Sequence, residues 1–417
     1  MTGEPAPPAP GVPAGAAALA GRRILELADE QGAYCGKLFA DMGADVVKVE
    51  RPGGDASRDR PPHWTGPSGR RFSLSFLYQN TSKRSVTLDL ATAAGADVFC
   101  RLATTADVVL ETLPCGTLDQ LGLGWERLRE RNPALVLTSL SGFGRTGPQR
   151  SFRSSDLVAS ALGGALYVHG YGEDPPVKLA GDHAHVMTST CAAAATMMAL
   201  HHVARTGEGQ HVDIAAIEVM AAVSHICGIG KWLDDGIVPR RAGTGLFASV
   251  PSGAYPCRDG LVYLMINRPL HWKALAEWIH EETGDEAVLS PLFEGPSSAR
   301  YEFRDLLDAA IGELAARFTV AEMVREGQRR HLAFTPVYSA EAVAHDEHLA
   351  ARGYFVDVEH EGEGRIRYPG APYRHARTPW RMSRIAPEPG EHNREILCDG
   401  LGLTEAELEA VGAVGSS

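Results

Sequence analysis

Strand-like and helix-like segments alternate along residues 23–141, and this alternation constrains the fold more than any other feature of the chain. Residues 24–28 and 45–50 are rich in branched apolar side chains and flank a helix-like stretch, which makes one βαβ unit. The other predicted elements of this region are strands at 85–90, 107–111 and 135–141 and helices at 94–103 and 125–131. The pattern predicts an α/β fold in which helices cover the faces of a parallel sheet.

The loops that follow the predicted strands are the expected place of a ligand site, because ligands of parallel sheets bind beyond the carboxyl ends of the strands. These loops begin after Ala28, Glu50, Glu111 and Ser141. The first loop lacks G-x-G-x-x-G, and the chain contains no G-x-x-x-x-G-K-[ST]. Hydride transfer and phosphoryl transfer therefore lack their usual sequence signals.

Residues 155–226 are predicted to be mainly helical, with the strongest helix at 186–205 and a glycine-containing turn after it. Residues 245–340 are predicted to form a smaller domain. Its expected elements are a strand at 261–266 and amphipathic helices at 272–281 and 301–316.

The charge and the cysteines exclude several classes of partner. A net charge of -12 without a long single-sign run argues against binding of nucleic acid through a basic face. The seven cysteines form no C-x-x-C pair, which fits neither a zinc site nor a disulfide framework. Residues 1–20 are rich in Pro and Ala and predict a flexible tail rather than a secretory signal. No apolar stretch is long enough to span a membrane, so we expect a cytoplasmic protein.

Short segments with specific composition occur in a defined order along most of the chain. They are GADVVKVE at 43–50, NTSKRS at 80–85 followed by Leu88 and Asp89, Gly181-Asp182, RTGEGQ at 205–210, YPCRDG at 255–260 and GEH at 390–392. In order and spacing they resemble the family III CoA-transferases, which include formyl-CoA, carnitine and benzylsuccinate CoA-transferases and α-methylacyl-CoA racemase. The resemblance extends from about Gly21 to about Leu401.

The resemblance implies a specific domain layout and assembly. A large Rossmann-like domain is formed by both chain ends, here 21–235 and 341–417, and a smaller α+β domain, here 236–340, is inserted between them. Two chains interlock as linked rings in this family. The expected assembly is a homodimer, or a hetero-oligomer with a related subunit.

Asp182 is the candidate catalytic residue. From its position alone, before an Ala-rich helix, the commoner role would be a helix N-cap. The resemblance instead implies a nucleophilic carboxylate, because family members carry a catalytic Asp after a Gly at this place. Such a carboxylate attacks an acyl-CoA thioester to form a mixed anhydride, and CoA then attacks it to form an aspartyl-CoA thioester. An incoming acid reverses these steps.

The resemblance also indicates residues for the CoA thioester, which is a substrate and not a tightly bound cofactor. Gln31, Arg51, Lys83 and Arg84 match family positions near the thioester, the nucleotide or the phosphates. Two positions depart from the usual family pattern: Thr112-Leu113 stands where many relatives have Asn-Phe, and Gln120 stands where a phosphate-binding Arg or Lys is common.

Three further residues are candidates for the acyl pocket, namely His183, Tyr167 and Met187. His183 is better explained as an ordinary polar residue of a first helical turn, and Tyr167 and Met187 are at least equally well explained as core residues. The pair His183 and His185 lacks a third ligand, so no metal site is expected. The acid substrate is expected to be larger than formate.

Three alternatives to transfer between two acids remain at this level. A racemase of this family uses a His-Asp pair after the Ser-Gly-Phe-Gly motif, and this chain has Ser155-Asp156 there, so racemisation is disfavoured. Intramolecular transfer of CoA within a dicarboxylate would use the same aspartate chemistry. A non-catalytic subunit is the third alternative, and retention of Asp182 argues against it.

Overall fold

The computed structural model describes residues 17–225, 228–246 and 249–413. Most of the expected flexible tail and Cys227 lie outside the described residues. The chain divides into two compact units. The first unit has the bounds Met1–Gly163, Ala180–Ala222 and Ala351–Ser417, and the second has the bounds Gly164–Leu179 and Val223–Ala350.

The strands and helices are numbered along the chain. The strands are β1 (Arg23–Leu27), β2 (Asp45–Glu50), β3 (His63–Thr65), β4 (Arg71–Ser73), β5 (Arg84–Thr87), β6 (Val108–Glu111), β7 (Val136–Ser141), β8 (His211–Ala215), β9 (Ser252–Cys257), β10 (Gly260–Met265), β11 (Phe334–Pro336), β12 (Phe355–His360) and β13 (Gly364–Pro369). The helices are α1 (Ala33–Ala40), α2 (Leu74–Gln79), α3 (Ala93–Ala103), α4 (Thr117–Gln120), α5 (Trp125–Arg131), α6 (Asp156–Leu162), α7 (Ala165–Val168), α8 (His183–Thr206), α9 (Ala216–Val223), α10 (Ile229–Asp235), α11 (Pro269–Thr283), α12 (Arg304–Ala316), α13 (Val320–Arg329), α14 (Ala340–Ala344), α15 (Glu347–Ala351) and α16 (Glu405–Ala410).

A six-stranded parallel sheet forms the centre of the first unit, with the strand order β5-β2-β1-β6-β7-β8. This confirms the predicted α/β class and the strand positions, since five of the six strands had been expected within a few residues. The chain builds outward from β1 to β5 and then returns to the other side of β1. The strand order therefore reverses between β1 and β6, and a crevice opens at their carboxyl ends.

Both faces of this sheet are buried, which is why its strands are apolar at successive positions and do not alternate with polar residues. The core on one face contains Leu25, Val47 and Val109 together with Leu397 from the C-terminal segment. The core on the opposite face consists of side chains from β1, β2, β6, β7, α1 and α8, including Ile24, Val46, Val108, Phe39 and Leu200.

Helix α8 runs from His183 to Thr206 and contains the predicted helix 186–205. It ends at Gly207, whose φ of 75° is a left-handed conformation that glycine adopts without a Cβ clash. The residue before its N-terminus, Gly181, also has a positive φ, 87°. This glycine turn sets the direction in which Asp182 enters the helix.

The second unit contains a three-stranded antiparallel sheet, β11-β10-β9, with α11, α12 and α13 contributing to its core. The strand and the two helices that the sequence predicts here are confirmed as β10, α11 and α12. Arg300 is fully buried in this unit, and backbone carbonyls of Val250, Phe293 and Ile266 accept its hydrogen bonds.

Residues Gly164–Leu179 belong to the second unit, although the sequence analysis includes them in 21–235. Arg241 holds this segment, because its guanidinium donates to the carbonyl oxygens of Tyr171 and Gly172. Among the described residues, no helix has both the length and the apolar character that crossing a bilayer requires.

Candidate active site

The carboxyl ends of β1 and β6 meet at the reversal of strand order, and their loops are hydrogen-bonded to each other. The Thr112 hydroxyl donates to Asp29 Oδ1 over 2.9 Å and accepts the Asp29 backbone N–H over 3.0 Å. The Gln31 amide donates to the other Asp29 oxygen over 3.3 Å. Asp29 thus brings two of the predicted CoA-site residues together, although the sequence analysis did not single it out.

A cavity of about 440 Å³ opens at this edge of the sheet. Each of four parallel strands contributes the residues that follow it, including Ala28, Arg51, Asp89 and Leu113. The cavity walls are mostly apolar, Arg51 supplies a cation, and four acidic residues also line the cavity, namely Asp29, Glu50, Asp55 and Asp89. Mainly apolar walls with a cation are suited to a ligand that has both a hydrocarbon arm and an anionic group.

Two buried ion pairs hold the loop after β2. Glu50 accepts hydrogen bonds from Arg58, with Nη2 to Oε1 at 2.6 Å, and Lys48 pairs with Asp55 at 2.9 Å. Burial alone would raise the pKa of the Glu50 carboxyl, but the Arg58 guanidinium and Lys48 ammonium outweigh it and hold that pKa below its usual value. The loop is therefore fixed to the sheet, and it carries Arg60 at its end.

Asp182 precedes the first residue of α8, at the N-cap position, but its side chain makes no capping hydrogen bond to this fully described helix. Its φ and ψ of −107° and 59° are not those of a usual cap. Arg60 Nη2 instead lies 3.4 Å from Asp182 Oδ2, and Arg60 Nη1 lies 3.4 Å from Glu30 Oε1. About a third of the Asp182 side chain, 32%, is exposed, so the side chain is accessible to a substrate.

Asp156 and His185 lie beside Asp182. One ligand atom from each of the three side chains lies within 4.8 Å of the others. Asp156 Oδ1 accepts the backbone N–H of His185 over 3.2 Å, and His185 is buried. The imidazole Nδ1 of His185 makes no hydrogen bond within the part of the chain that the structure describes. Such a cluster can accept or release a proton next to Asp182, and the expectation of no metal stays a prediction.

Ser155, which stands where a racemase has its histidine, is a helix cap. Its hydroxyl accepts the Val158 N–H at the start of α6 over 3.3 Å. The serine thus has a local structural role, and Asp156 directly follows it at the first position of α6.

Residues 19–393 match the family model described as CoA-transferase family III. The chain belongs to CoA-transferase family III. Its sequence is 36% identical to the succinyl-CoA:(R)-benzylsuccinate CoA-transferase subunit BbsE of Thauera aromatica, over 90% of this chain and 93% of the relative. It is 34% identical to the succinyl-CoA–D-citramalate CoA-transferase of Chloroflexus aurantiacus, over 94% and 96% respectively.

A solved structure agrees with this membership. The crystal structure of a CAIB/BAIF family protein from Brucella suis superposes with a TM-score of 0.79 at 29% identity, covering 92% of this chain and 99% of that one. The resemblance that the sequence motifs indicated is thereby confirmed, and the protein is a CoA-transferase.

Two of the residues predicted for the CoA phosphates are placed differently in this family III enzyme. Lys83 is fully buried, and its ammonium contacts Glu26 at 2.7 Å, the Ala33 carbonyl at 2.8 Å and Asn80 at 2.9 Å. Burial lowers the pKa of Lys83 to about 8, against the opposing effect of Glu26. Lys83 has no exposed surface in this arrangement, and the contacts of its ammonium named above are all internal, so its contact with a phosphate stays a prediction that these partners do not support.

Arg84 is the second of these residues, and its place in the CoA site also stays a prediction. It is the first residue of β5, and its guanidinium pairs with Asp45 at 2.6 Å and with Glu395 at 2.7 Å. Asp45 is the first residue of β2, so these contacts lie toward the amino edge of the sheet. The cavity opens at the carboxyl edge, where the Arg84 side chain does not point.

The remaining predicted residues fall into three groups. Gln31, Arg51, Thr112 and Leu113 lie at the carboxyl edge of the sheet, around Asp29 or in the cavity wall. His183 and Met187 are exposed on the first turns of α8, and Gln120 is exposed at the end of α4. Tyr167 belongs to the second unit, in a cavity of about 560 Å³ with Ile237, Val238, Arg240 and Tyr301.

Sequence reasoning missed Arg60 and Glu30. Arg60 lies in an arginine-rich loop in which no single arginine is distinguished by spacing. Glu30 does directly precede Gln31 after the first strand, and that position was the only available signal.

Proposed function

We propose that this enzyme transfers CoA from succinyl-CoA to a second carboxylic acid, and that Asp182 carries the acyl group and then CoA. The observation that supports this most is the state of Asp182. Its carboxylate stands at a helix start without acting as a cap, is partly exposed, and has one loosely placed cation beside it.

The proposed reaction has two half-reactions. An Asp182 oxygen attacks the acyl carbon of the donor thioester, the C–S bond breaks, and a mixed anhydride and CoA thiolate result. The thiolate attacks the Asp182 carbonyl carbon, which releases the donor acid as a carboxylate and leaves aspartyl-CoA. The acceptor carboxylate then reverses both steps and leaves as its CoA thioester.

The cavity at the carboxyl edge is the proposed place for part of CoA. Its apolar walls suit the pantetheine arm, and Arg51 offers a charge for the nucleotide end. Gln31 stands on the same loop as Glu30, and its backbone carbonyl accepts the Ser189 hydroxyl of α8 over 3.0 Å. This contact joins the loop after β1 to the helix that begins after Asp182.

The choice of succinyl-CoA rests on the relatives. The names of both compared transferases contain succinyl-CoA, and they are 36% and 34% identical to this chain. The second acid in those names is benzylsuccinate or citramalate, both larger than formate. An acceptor larger than formate is the corresponding proposal for this enzyme.

Trapping of the intermediate tests this proposal. The purified enzyme is incubated with succinyl-CoA or another acyl-CoA, quenched with hydroxylamine or borohydride, and digested for peptide mass analysis. We expect a modified Asp182 peptide in the wild type and none in Asp182→Ala. If no donor modifies Asp182, the aspartyl mechanism is incorrect.

Racemisation of an acyl-CoA is the second candidate, because His185 lies beside Asp182 and Asp156 and could exchange an α-proton. Incubation of a branched acyl-CoA in deuterium oxide separates the two functions. Deuterium uptake at the α-carbon without transfer to an acid would favour the racemase.

Intramolecular transfer within one dicarboxylate is separated from transfer between acids by isotope labelling of one acid.

We propose a dimer as the working assembly, either of two identical chains or with a related subunit. Exposed apolar side chains support it, since Trp232 and Leu233 on α10 and Met198 on α8 are more than half exposed. The relative from Thauera aromatica is itself named as a subunit, which supports the hetero-oligomeric form.

A further inference from the structure

We propose that Arg60 binds the carboxylate of the acid substrates, and that it becomes available to them only when Asp182 has been acylated. The inference rests on the proposed aspartyl mechanism and adds a residue, and an order of binding, to it.

The first argument is the looseness of the Arg60 contacts. Its distances to Asp182 and to Glu30 are both 3.4 Å, whereas strong hydrogen bonds between a guanidinium and a carboxylate are about 2.7–2.9 Å long. Arg58, two residues earlier, contacts buried Glu50 at 2.6 Å. One arginine of this loop therefore fixes the loop, and the other faces the site with weaker contacts.

The second argument is an unsatisfied donor. Arg60 Nη1 has almost no exposed surface and makes no hydrogen bond to any described residue, and its contact with Glu30 lacks hydrogen-bond geometry. A buried donor without an acceptor is unfavourable, and such groups in native proteins usually have a ligand, water or functional partner. A substrate carboxylate that reaches Arg60 and displaces its loose contact with Glu30 would provide that acceptor.

The third argument is conservation of charge during the reaction. In the resting enzyme the Asp182 carboxylate is the anion beside Arg60. When Asp182 becomes aspartyl-CoA, its charge disappears, and the released donor acid carries one new carboxylate at the same place. Arg60 then pairs with this carboxylate and afterwards with the carboxylate of the acceptor acid. Arg60 thus pairs with one carboxylate before the first half-reaction, that of Asp182, and with one carboxylate after it, that of the acid.

The same arrangement disfavours free acids in the resting enzyme. Glu30 and Asp156 are further carboxylates near Asp182, so a free acid would meet several like charges with Arg60 already engaged. When Asp182 loses its charge, the nearest like charge to the incoming acid is removed. Arg60 loses its ionic partner at the same step and can pair with the acid. The acid is therefore selected after acyl-CoA has reacted.

Binding of succinate to an uncharged site tests the proposal without turnover. Asp182→Asn imitates the neutral, acylated side chain, and titration calorimetry measures succinate affinity in it and in the wild type. We expect at least about tenfold tighter binding to Asp182→Asn, the effect of one charge-assisted hydrogen bond. The gain should be lost in Asp182→Asn/Arg60→Gln. Equal affinity in the wild type and both variants would overturn the proposal.

A matched control uses another arginine of the same region. Arg70 forms an exposed ion pair with Glu388 at 2.6 Å and lies outside the site. Asp182→Asn/Arg70→Gln should bind succinate as Asp182→Asn does. If it also loses the gain, the effect is one of general charge, and the assignment to Arg60 is incorrect.

Steady-state kinetics give a second, independent readout. Arg60→Gln should raise KM for the acceptor acid about tenfold or more while KM for the acyl-CoA changes less than about threefold, and Arg60→Lys should recover part of the difference. Trapping on Asp182 is followed in parallel. A labelled Asp182 with an unchanged acid KM refutes the role of Arg60 alone, and an unlabelled Asp182 in the wild type refutes the proposed function.

Discussion

The carboxylate of Asp182 has two possible uses at the start of α8, a cap for the helix or a reagent for substrate. A cap accepts the free N–H groups of the first turn, which occupies the lone pairs and restrains the side chain. Asp182 makes no such bond. Its lone pairs are therefore not occupied by the helix, while the helix N-terminus still supplies a favourable field for a negative charge.

Substitution of Asp182 should separate these two uses. We expect Asp182→Asn to abolish transfer activity while changing the free energy of unfolding by less than about 0.5 kcal/mol, because no capping bond is lost and the 3.4 Å contact with Arg60 is a partly exposed ion pair of low energy. Ser155→Ala is the comparison, because Ser155 does cap α6, and its loss should cost about 1 kcal/mol. Urea denaturation measures both. An equal loss of stability in the two variants would indicate that Asp182 supports the helix.

For Lys83 we predict that substitution changes the stability of the protein. Its ammonium pairs with Glu26, and both side chains are fully buried. Lys83→Met would leave Glu26 with Lys48 at 3.5 Å as its remaining cation, so we expect a loss of about 3 kcal/mol in unfolding free energy. The double variant Lys83→Met/Glu26→Gln should regain part of the lost unfolding free energy. Stability unchanged by Lys83→Met, with a raised KM for CoA thioesters, would instead restore the phosphate-binding role.

At the scale of elements, the loop between β2 and β3 connects the sheet to the active site. Glu50 is the last residue of β2 and holds Arg58, and Arg60 follows two residues later. A buried strand end thus determines where the half-buried Arg60 lies. Because the anchors are ion pairs, the position of the loop depends on charge as well as on packing.

Arg58→Gln tests this dependence. The Glu50 carboxylate would stay buried with Lys48 as the cation that remains, and we expect a loss of about 3 kcal/mol at pH 7 together with reduced transfer activity. In the wild type the pKa of Glu50 is lowered, so its contribution is present above the unfolded pKa of about 4.3 and is lost as pH falls below it.

The difference between the variant and the wild type should therefore shrink as the pH is lowered from 7 toward 4, where Glu50 of the variant is protonated. Chemical denaturation at several pH values measures it. A difference that does not vary with pH would mean that the Arg58 side chain acts by packing alone. Arg70→Gln again serves as the control, because its exposed ion pair should contribute less than about 1 kcal/mol.

At the scale of the whole molecule, the exposed apolar residues of α10 carry a prediction about assembly. We expect light scattering to give twice the mass of one chain, or a mixed dimer when a related subunit is coexpressed. Leu233 is 67% exposed, and Leu233→Glu should shift the mass toward the single chain, because a buried charge at an interface is costly.

Exposed Leu270 offers a matched control at 79% exposure, and Leu270→Glu should leave the mass unchanged. A wild-type mass of one chain would contradict the dimer. The mass should be measured again with acyl-CoA present, because a substrate that binds the dimer more tightly than the single chain stabilises the dimer.

Local sequence determined much of this protein. Branched apolar runs such as 45–50 predicted the buried strands, because burial on both sheet faces requires apolar side chains at successive positions. The motifs identified the family and with it Asp182, and the loops after β1 and β6 were expected to face the ligand. Strand formation depends on residues that are neighbours in sequence, and the side of the sheet that carries a ligand depends on strand direction. Short sequence patterns contain both kinds of information.

Only the tertiary structure decided the roles of the charged residues. Lys83 and Arg84 are adjacent in one motif, yet one pairs with buried Glu26 and the other with Asp45 toward the amino edge. Arg60 meets Asp182 across 122 positions of sequence. Coulomb interactions depend on distance in space, and the ends of strands and loops far apart in sequence set that distance. A short sequence pattern does not contain the distance between such residues.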